Sequence, residues 1–190
     1  MHQGTGQKPS DYSDKELLSL FSKSGQRDQA FRLIVLKYQE RLYWHIRKIL
    51  INHDDTDDVL QNAFVKAWNS LEGFRQESAL FTWLYRIATN EALTFLNQKR
   101  KRFLFPLDKV ERHLSDALDA DEYIDGDEIQ MKLQKALLAL PEKQRIVFNM
   151  KYFDEMKYED MAIILETSVG ALKASYHHAV KKIEKYMLAH

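Results

Sequence analysis

The chain has 190 residues, 28 Lys and Arg against 28 Asp and Glu, 45% apolar residues and no cysteine. That apolar fraction supplies packed cores and excludes wholesale disorder. The missing thiols exclude a disulfide scaffold, a thiolate metal site and a cysteine nucleophile.

No apolar run reaches the roughly 18 residues a membrane span needs. The first ten residues are polar and lack the apolar stretch of a signal peptide, so a soluble cytoplasmic protein without stable membrane insertion is expected. The zero net charge conceals a segregation. Residues 11–105 carry 15 cations and 12 carboxylates, and residues 131–190 carry 10 and 7. Residues 106–130 carry 2 and 9, a net charge of minus 7. Two mildly basic blocks flank an acidic segment, so overall neutrality does not argue against a local basic face.

With 6 Gly, 3 Pro and no alternating run of strand length, apolar spacing is helical almost throughout. Ser13-Asp14-Lys15-Glu16 forms a capping box for a helix burying Leu17, Leu18, Leu20 and Phe21. After Gly25 a long helix runs to about Ile51, with Ala30, Phe31, Ile34, Tyr38, Leu42 and Ile46 on one stripe. Asp54-Asp55-Thr56-Asp57-Asp58 places carboxylates at the next helix N-terminus, where the dipole favours them. That helix buries Leu60, Ala63, Phe64, Ala67, Trp68 and Leu71, and Gly73 stops it. A polar loop, Phe74–Ser78, leads to a fourth helix from about Ala79 to Lys101.

These four helices predict one bundle over residues 11–103. The acidic residues 104–128 predict a tether of about 25 residues, reaching roughly 80 Å fully extended and nearer 25–30 Å if flexible. A second bundle is expected over 129–190. Ile129, Leu133, Leu137 and Leu140 form its first stripe, and Ile146, Val147, Met150 and Phe153 the next, after Pro141. The expected architecture is all-α: two small helical bundles joined by an acidic tether, the second with a helix-turn-helix.

That motif spans Tyr158–Lys182. Met161, Ala162 and Leu165 face inward from a short helix, Glu166-Thr167-Ser168 makes the turn, and Ser168 caps the last helix. Leu172, Tyr176, Ala179 or Val180, and Ile183 then point inward, leaving Gly170, Ala171, Lys173, Ala174, His177 and Lys181 outward. Small residues at the front of an exposed helix admit it to a major groove, and the lysines reach phosphates or base edges. An ordinary hairpin with a solvated basic face fits the same pattern. His177 and His178 are adjacent, about 100° apart on a helix, and do not make a metal pair. No metal, cofactor or catalytic residue is expected.

Here the sequence resembles the extracytoplasmic-function (ECF) sigma factors of bacterial RNA polymerase. Leu140-Pro141-Glu142-Lys143-Gln144-Arg145, followed by Val147-Phe148, is similar to the opening of that family's fourth conserved region. Ser168-Val169-Gly170-Ala171-Leu172-Lys173-Ala174 is similar to its recognition helix. Asp57-Asp58-Val59-Leu60-Gln61-Asn62-Ala63-Phe64-Val65-Lys66-Ala67-Trp68 resembles the helix that grips the polymerase clamp. Phe81-Thr82-Trp83-Leu84-Tyr85-Arg86-Ile87-Ala88-Thr89-Asn90 resembles the promoter-melting segment. The likeness covers about residues 11–103 and 131–187. Glu166 departs from it, standing where the family often has Gly. So do Ala174 and Ser175, where many members carry Ser and Arg, so the upstream base preference does not transfer.

The resemblance implies a non-enzymatic initiation factor that directs core polymerase to promoters. The residues 11–103 would hold the polymerase and melt the −10 element, and the residues 129–190 would contact the −35 element. Its implied partners are core RNA polymerase (clamp helices of the largest subunit, and the flap), promoter DNA and an anti-sigma factor, with the chain a monomer when free or held by that factor. Asp57, Asp58, Gln61, Asn62, Val65 and Asn69 would meet the clamp. Phe74, Arg75, Ser78, Trp83, Arg86, Asn90, Asn97 and Lys101 would meet the −10 DNA. Aromatic, Arg and Asn groups on one stripe stack bases, hold phosphates and read base edges, and the Phe74–Ser78 loop is the candidate pocket for a flipped base. Trp83 is either a core or a stacking tryptophan. Ser168, Gly170, Ala171, Lys173, Ala174, Ser175, His177 and Lys181 would meet the −35 element. The Lys99-Arg100-Lys101-Arg102 run would touch phosphate, although a solvated helix end is the usual fate of such runs.

Two rivals belong to other classes. A conventional helix-turn-helix repressor or activator with a sensing N-terminal bundle predicts a dimer on a palindromic site. A prenyl-diphosphate enzyme would use the DDxxD spacing within Asp54–Asp58 to hold magnesium, but it needs a second facing acidic cluster around a deep cavity. The other acidic cluster sits in the tether, and helix capping explains the motif better.

Overall fold

A computed structural model describes residues 8–103 and 128–189, and within them the chain is helical, without strands. Helices α1 (Asp14–Phe21), α2 (Arg27–Leu50), α3 (His53–Ser70) and α4 (Leu80–Phe103) make an N-terminal unit. Helices α5 (Glu128–Leu138), α6 (Glu142–Tyr152), α7 (Tyr158–Leu165) and α8 (Val169–Ala189) make a C-terminal one. The expected acidic tether, save Glu128, lies outside the described residues. None of the described helices is long and apolar enough to cross a membrane.

Local chemistry sets the helix ends. Ser13 and Glu16 form the expected capping box: the Glu16 carboxylate accepts from Ser13 N–H at 2.7 Å, and Ser13 Oγ accepts from Glu16 N–H at 3.3 Å. The cap of α3 is Asn52, whose side chain accepts from Asp55 N–H at 2.9 Å, while Asp54 and Asp55 occupy the first turn. Ile51 ends α2 in the left-handed region at φ 65°. A β-branched residue pays of order 1–2 kcal/mol there, and its burial in the core holds it in place.

The N-terminal core is built on α2, whose Ala30, Ile34, Tyr38, Leu42, Ile46 and Ile49 are buried. Against them lie Val59, Ala63 and Ala67 of α3 and Leu80, Leu84, Ala88, Ala92 and Leu96 of α4. Repeated alanines on α3 and α4 allow close helix approach. Larger rings sit half-buried at the margin, where Trp68 meets Phe21 and Phe31 edge-on at 5.7 and 5.1 Å. In the C-terminal unit, Ala136, Leu137, Leu140, Phe148, Ala179 and Ile183 form a local core. Two apolar residues depart from the expected stripes. Ile129 is 66% exposed because α5 packs through its C-terminal half, and Phe153 at the end of α6 is 37% exposed.

The units are packed against one another. Ile146, Val147, Met150, Met156, Met161, Ile164 and Leu172 join the same continuous apolar cluster as the N-terminal core. At its edge Asp154, following α6, is nearly buried between two residues of α2. It pairs with Lys48 and accepts from His45 Nδ1 at 3.0 Å. His45 Nε2 meets Thr89 Oγ1 at 2.8 Å, and the Thr89 hydroxyl donates to the Tyr85 carbonyl at 2.7 Å. Asn149 Nδ2 donates to the Lys48 carbonyl at 3.3 Å.

Burial alone would raise the Asp154 pKa, but the His45 hydrogen bond and the neighbouring His45 and Lys48 charges outweigh it and hold the carboxyl below its ordinary 3.8. A depressed carboxylate pKa stabilises the folded state at neutral pH, and the contribution is lost as pH falls through about 4 and below. The unfolding midpoint in urea should therefore drop more steeply between about pH 5 and pH 3 for the wild type than for Asp154→Asn. Parallel pH profiles would show that Asp154 contributes nothing.

Candidate nucleic-acid and partner interfaces

The turn between α7 and α8 follows from three side chains. Glu166 closes α7 in the left-handed region at φ 50°, its N–H bonded to the Ala162 carbonyl. Thr167 Oγ1 donates to the Leu165 carbonyl at 3.0 Å. Ser168 Oγ accepts from Ala171 N–H at 3.3 Å, capping α8 as expected. Helix α8 then buries Leu172, Ala179 and Ile183, with Tyr176 half-buried. On its other side Ser168, Gly170, Ala171, Lys173, Ala174, His177 and Lys181 are exposed, and Ser175 is half-buried. A Cβ at Gly170 would meet nothing within 4 Å. The front of this helix is thus a low ridge flanked by cations, a shape that fits a groove.

A second exposed stripe runs along α3, made of Asp57, Asp58, Gln61, Asn62, Val65 and Asn69. Val65 is 53% exposed amid these polar groups. The other side of the helix is tied down, by its core and by Asp55, which pairs with Lys99 of α4 at 2.5 Å. Asp57 lies 3.6 Å from His53 Nε2, one turn earlier. Asp55 is thereby engaged in an ion pair with α4, and among the described residues these carboxylates are not gathered into a metal-binding cluster.

A third surface lies on α4 and the loop before it. Arg86, Asn90, Asn97 and Lys101 are exposed. Trp83 is half-buried and packs on Phe74, ring centroids 5.0 Å apart at 37°. It is therefore a bridge from the core to the loop, still partly exposed. Arg75 and Glu77 are exposed and 3.9 Å apart, and Ser78 is half-buried.

A cleft of about 490 Å³ opens between the α1–α2 turn and residues 71–76, lined by Phe21, Ser24, Arg27, Leu71, Phe74 and Gln76 among others. Arg27 was missed by sequence reasoning. Its guanidinium lies 4.7 Å from the Phe21 ring and 4.9 Å from Trp68, and it pairs with Glu72 at 3.3 Å. No local spacing signalled it, because Phe21, Trp68 and Glu72 come together around it only in the folded chain. Sequence reasoning also missed the buried polar residues His45, Thr82 and Thr89, because each interrupts an apolar stripe and meets its partner only in the folded chain.

The fold defines a two-unit helical protein with a helix-turn-helix in its C-terminal unit. The family models for sigma-70 region 2 and sigma-70 region 4 match residues 34–102 and 130–183. The chain is 31% identical over 183 residues to the RNA polymerase sigma-H factor of Pseudomonas aeruginosa, covering 90% of this chain and 92% of that one. It is 29% identical over 180 residues to the ECF RNA polymerase sigma-E factor of Escherichia coli K12, covering 90% and 93%. Two solved structures share the fold at 24% identity. One is CnrH in complex with the cytosolic domain of CnrY, with a TM-score of 0.67 over 93% of this chain and 97% of that one. The other is the sigma factor RpoE in complex with the anti-sigma factor NepR from Bartonella quintana, with a TM-score of 0.62 over 83% and 96%. The chain belongs to the ECF sigma factors and is a promoter-specific transcription initiation factor.

Removing the α8 cap in Ser168→Ala should cost about 1 kcal/mol, measured by urea denaturation. A change near zero would assign the N-terminus of α8 to packing alone.

Proposed function

We propose that the three exposed faces divide the work of initiation among themselves. The unit spanning 11–103 holds core RNA polymerase through the α3 stripe of Asp57, Asp58, Gln61, Asn62, Val65 and Asn69, which would meet the clamp helices of the largest subunit. The same unit captures unpaired −10 bases along Trp83, Arg86, Asn90, Asn97 and Lys101. Phe74 lines the cleft proposed to take an unstacked base, and Arg75 and Ser78 belong to the same loop. The volume of that cleft falls in the ordinary range for ligand sites, about 300–1,000 Å³.

The unit spanning 129–190 lays the Ser168–Lys181 face of α8 into the −35 major groove and meets the polymerase flap, and residues 104–128 join the two. Melting is driven by base capture, each stacked base contributing about 1–3 kcal/mol. The polymerase performs the chemistry, so the chain is not an enzyme. It works in the cytoplasm, as a monomer until it joins the polymerase. An anti-sigma factor is the partner proposed for its control.

The observation carrying this reading is the exposed α3 stripe, polar around one bare valine on a helix anchored from behind. Asp58→Lys should abolish binding to purified core polymerase, measured by fluorescence anisotropy of the labelled protein, while leaving its thermal midpoint unchanged. Wild-type affinity in that variant would place the polymerase contact elsewhere. Lys173→Ala should weaken binding of the polymerase complex to upstream duplex DNA and flatten its log–log salt dependence by about one unit. An unaltered slope would remove Lys173 from the phosphate contacts.

A further inference from the structure

The cleft between the α1–α2 turn and residues 71–76 sets apolar walls beside one ion pair. Leu18, Phe21, Leu71 and Phe74 line it, and Arg27 and Glu72 stand together in it at 3.3 Å. Phe74 also packs on Trp83, ring centroids 5.0 Å apart, so the cleft adjoins the α4 stripe. The Arg27 guanidinium is held in place, 4.7 Å from the Phe21 ring and 4.9 Å from Trp68. Its Nε is buried, so a ligand in the cleft meets the two Nη groups.

The pair is not there to hold the fold. Its side chains are 38% and 76% exposed, and an exposed ion pair adds little stability. A phosphate is a poor occupant, because Glu72 repels it. Aromatic walls around about 490 Å³ suit a flat ring instead.

An arginine beside a carboxylate sorts bases by the order of their donors and acceptors. The guanidinium fork matches two adjacent acceptors, and the carboxylate matches a donor next to them. In an unpaired guanine N7 and O6 are adjacent, followed by N1–H and the N2 amino group. In cytosine O2 and N3 are adjacent, followed by the N4 amino group. Adenine and thymine alternate instead. The N6 amino group separates N7 from N1 in adenine, and N3–H separates O4 from O2 in thymine.

We propose that Arg27 and Glu72 are the specificity determinants of this cleft, selecting guanine or cytosine over adenine or thymine as the unstacked base. The selection rests on the reading of the cleft as the site of such a base.

The test uses the full chain bound to core polymerase and fluorescent single-stranded probes of about 12 thymidines, an ordinary site length. One guanine, cytosine or adenine replaces thymine at successive positions, and affinity is read by anisotropy. At one position guanine or cytosine should bind about tenfold tighter than adenine or thymine. Arg27→Lys keeps the charge but loses the fork, and should bring that ratio below about twofold. Glu72→Ala, at an exposed site where the core is untouched, should narrow it as well. Phe74→Ala removes a wall and should weaken all four probes.

Equal binding of the four bases by the wild type at every position overturns the selection. So does a wild-type ratio retained in Arg27→Lys and Glu72→Ala, and a uniform loss in Arg27→Lys at that ratio would mark a phosphate contact. If Phe74→Ala changes nothing, the cleft takes no base, and the selection falls with the reading beneath it. If Phe74→Ala weakens binding while the ratio survives in the other two variants, the selection alone fails.

Discussion

Helix α4 bears the constraint on which the rest of the molecule depends. One side must pack against α2 and α3, and it does so with Leu84, Ala88, Ala92 and Leu96. A second side must stay polar and open, and it carries Arg86, Asn90, Asn97 and Lys101. A third receives the C-terminal unit through Thr82 and the apolar seam with Met161 and Ile164. Only a regular helix fixed along its length keeps three such faces in register. Asp55–Lys99 and the His45–Thr89 contact fix it from α3 and α2 respectively.

Much of this was legible from residue order. The capping box at Ser13, the Ser168 cap and the α8 face required only local spacing, and the folded chain shows them. On α4 the structure buries Ala88 and leaves its neighbour Ile87 half-buried, because the smaller side chain permits close approach. Ile129 kept the apolar period yet lies exposed, since periodicity does not say how far along a helix its partner extends. Trp83 sits between the two readings offered for it, half-buried on Phe74. The roles of the three faces followed from resemblance to a family, since a polar stripe names no partner by itself.

The docking of the two units could not be read at all. His45, Asp154, Thr82 and Asp160 are scattered through the chain, and nothing in the motifs that contain Thr82 and Asp160 marks either as a partner for the other unit. Their meaning is tertiary: a histidine on a long amphipathic helix becomes a buried anchor only when a carboxylate from more than a hundred residues away arrives beside it. Charge segregation follows the same logic. The cations proposed to meet nucleic acid lie on α4 and α8, while Asp154, Asp160 and Glu166 of the C-terminal unit contact its neighbour.

The central claim is that polar faces on two small bundles act only in the grip of a transcribing enzyme. Run-off transcription by purified core polymerase on genomic fragments, with and without this protein, tests it most directly. Discrete transcripts from a small set of start sites, present only with the protein, are the predicted result. Transcripts unchanged by its addition would contradict the account.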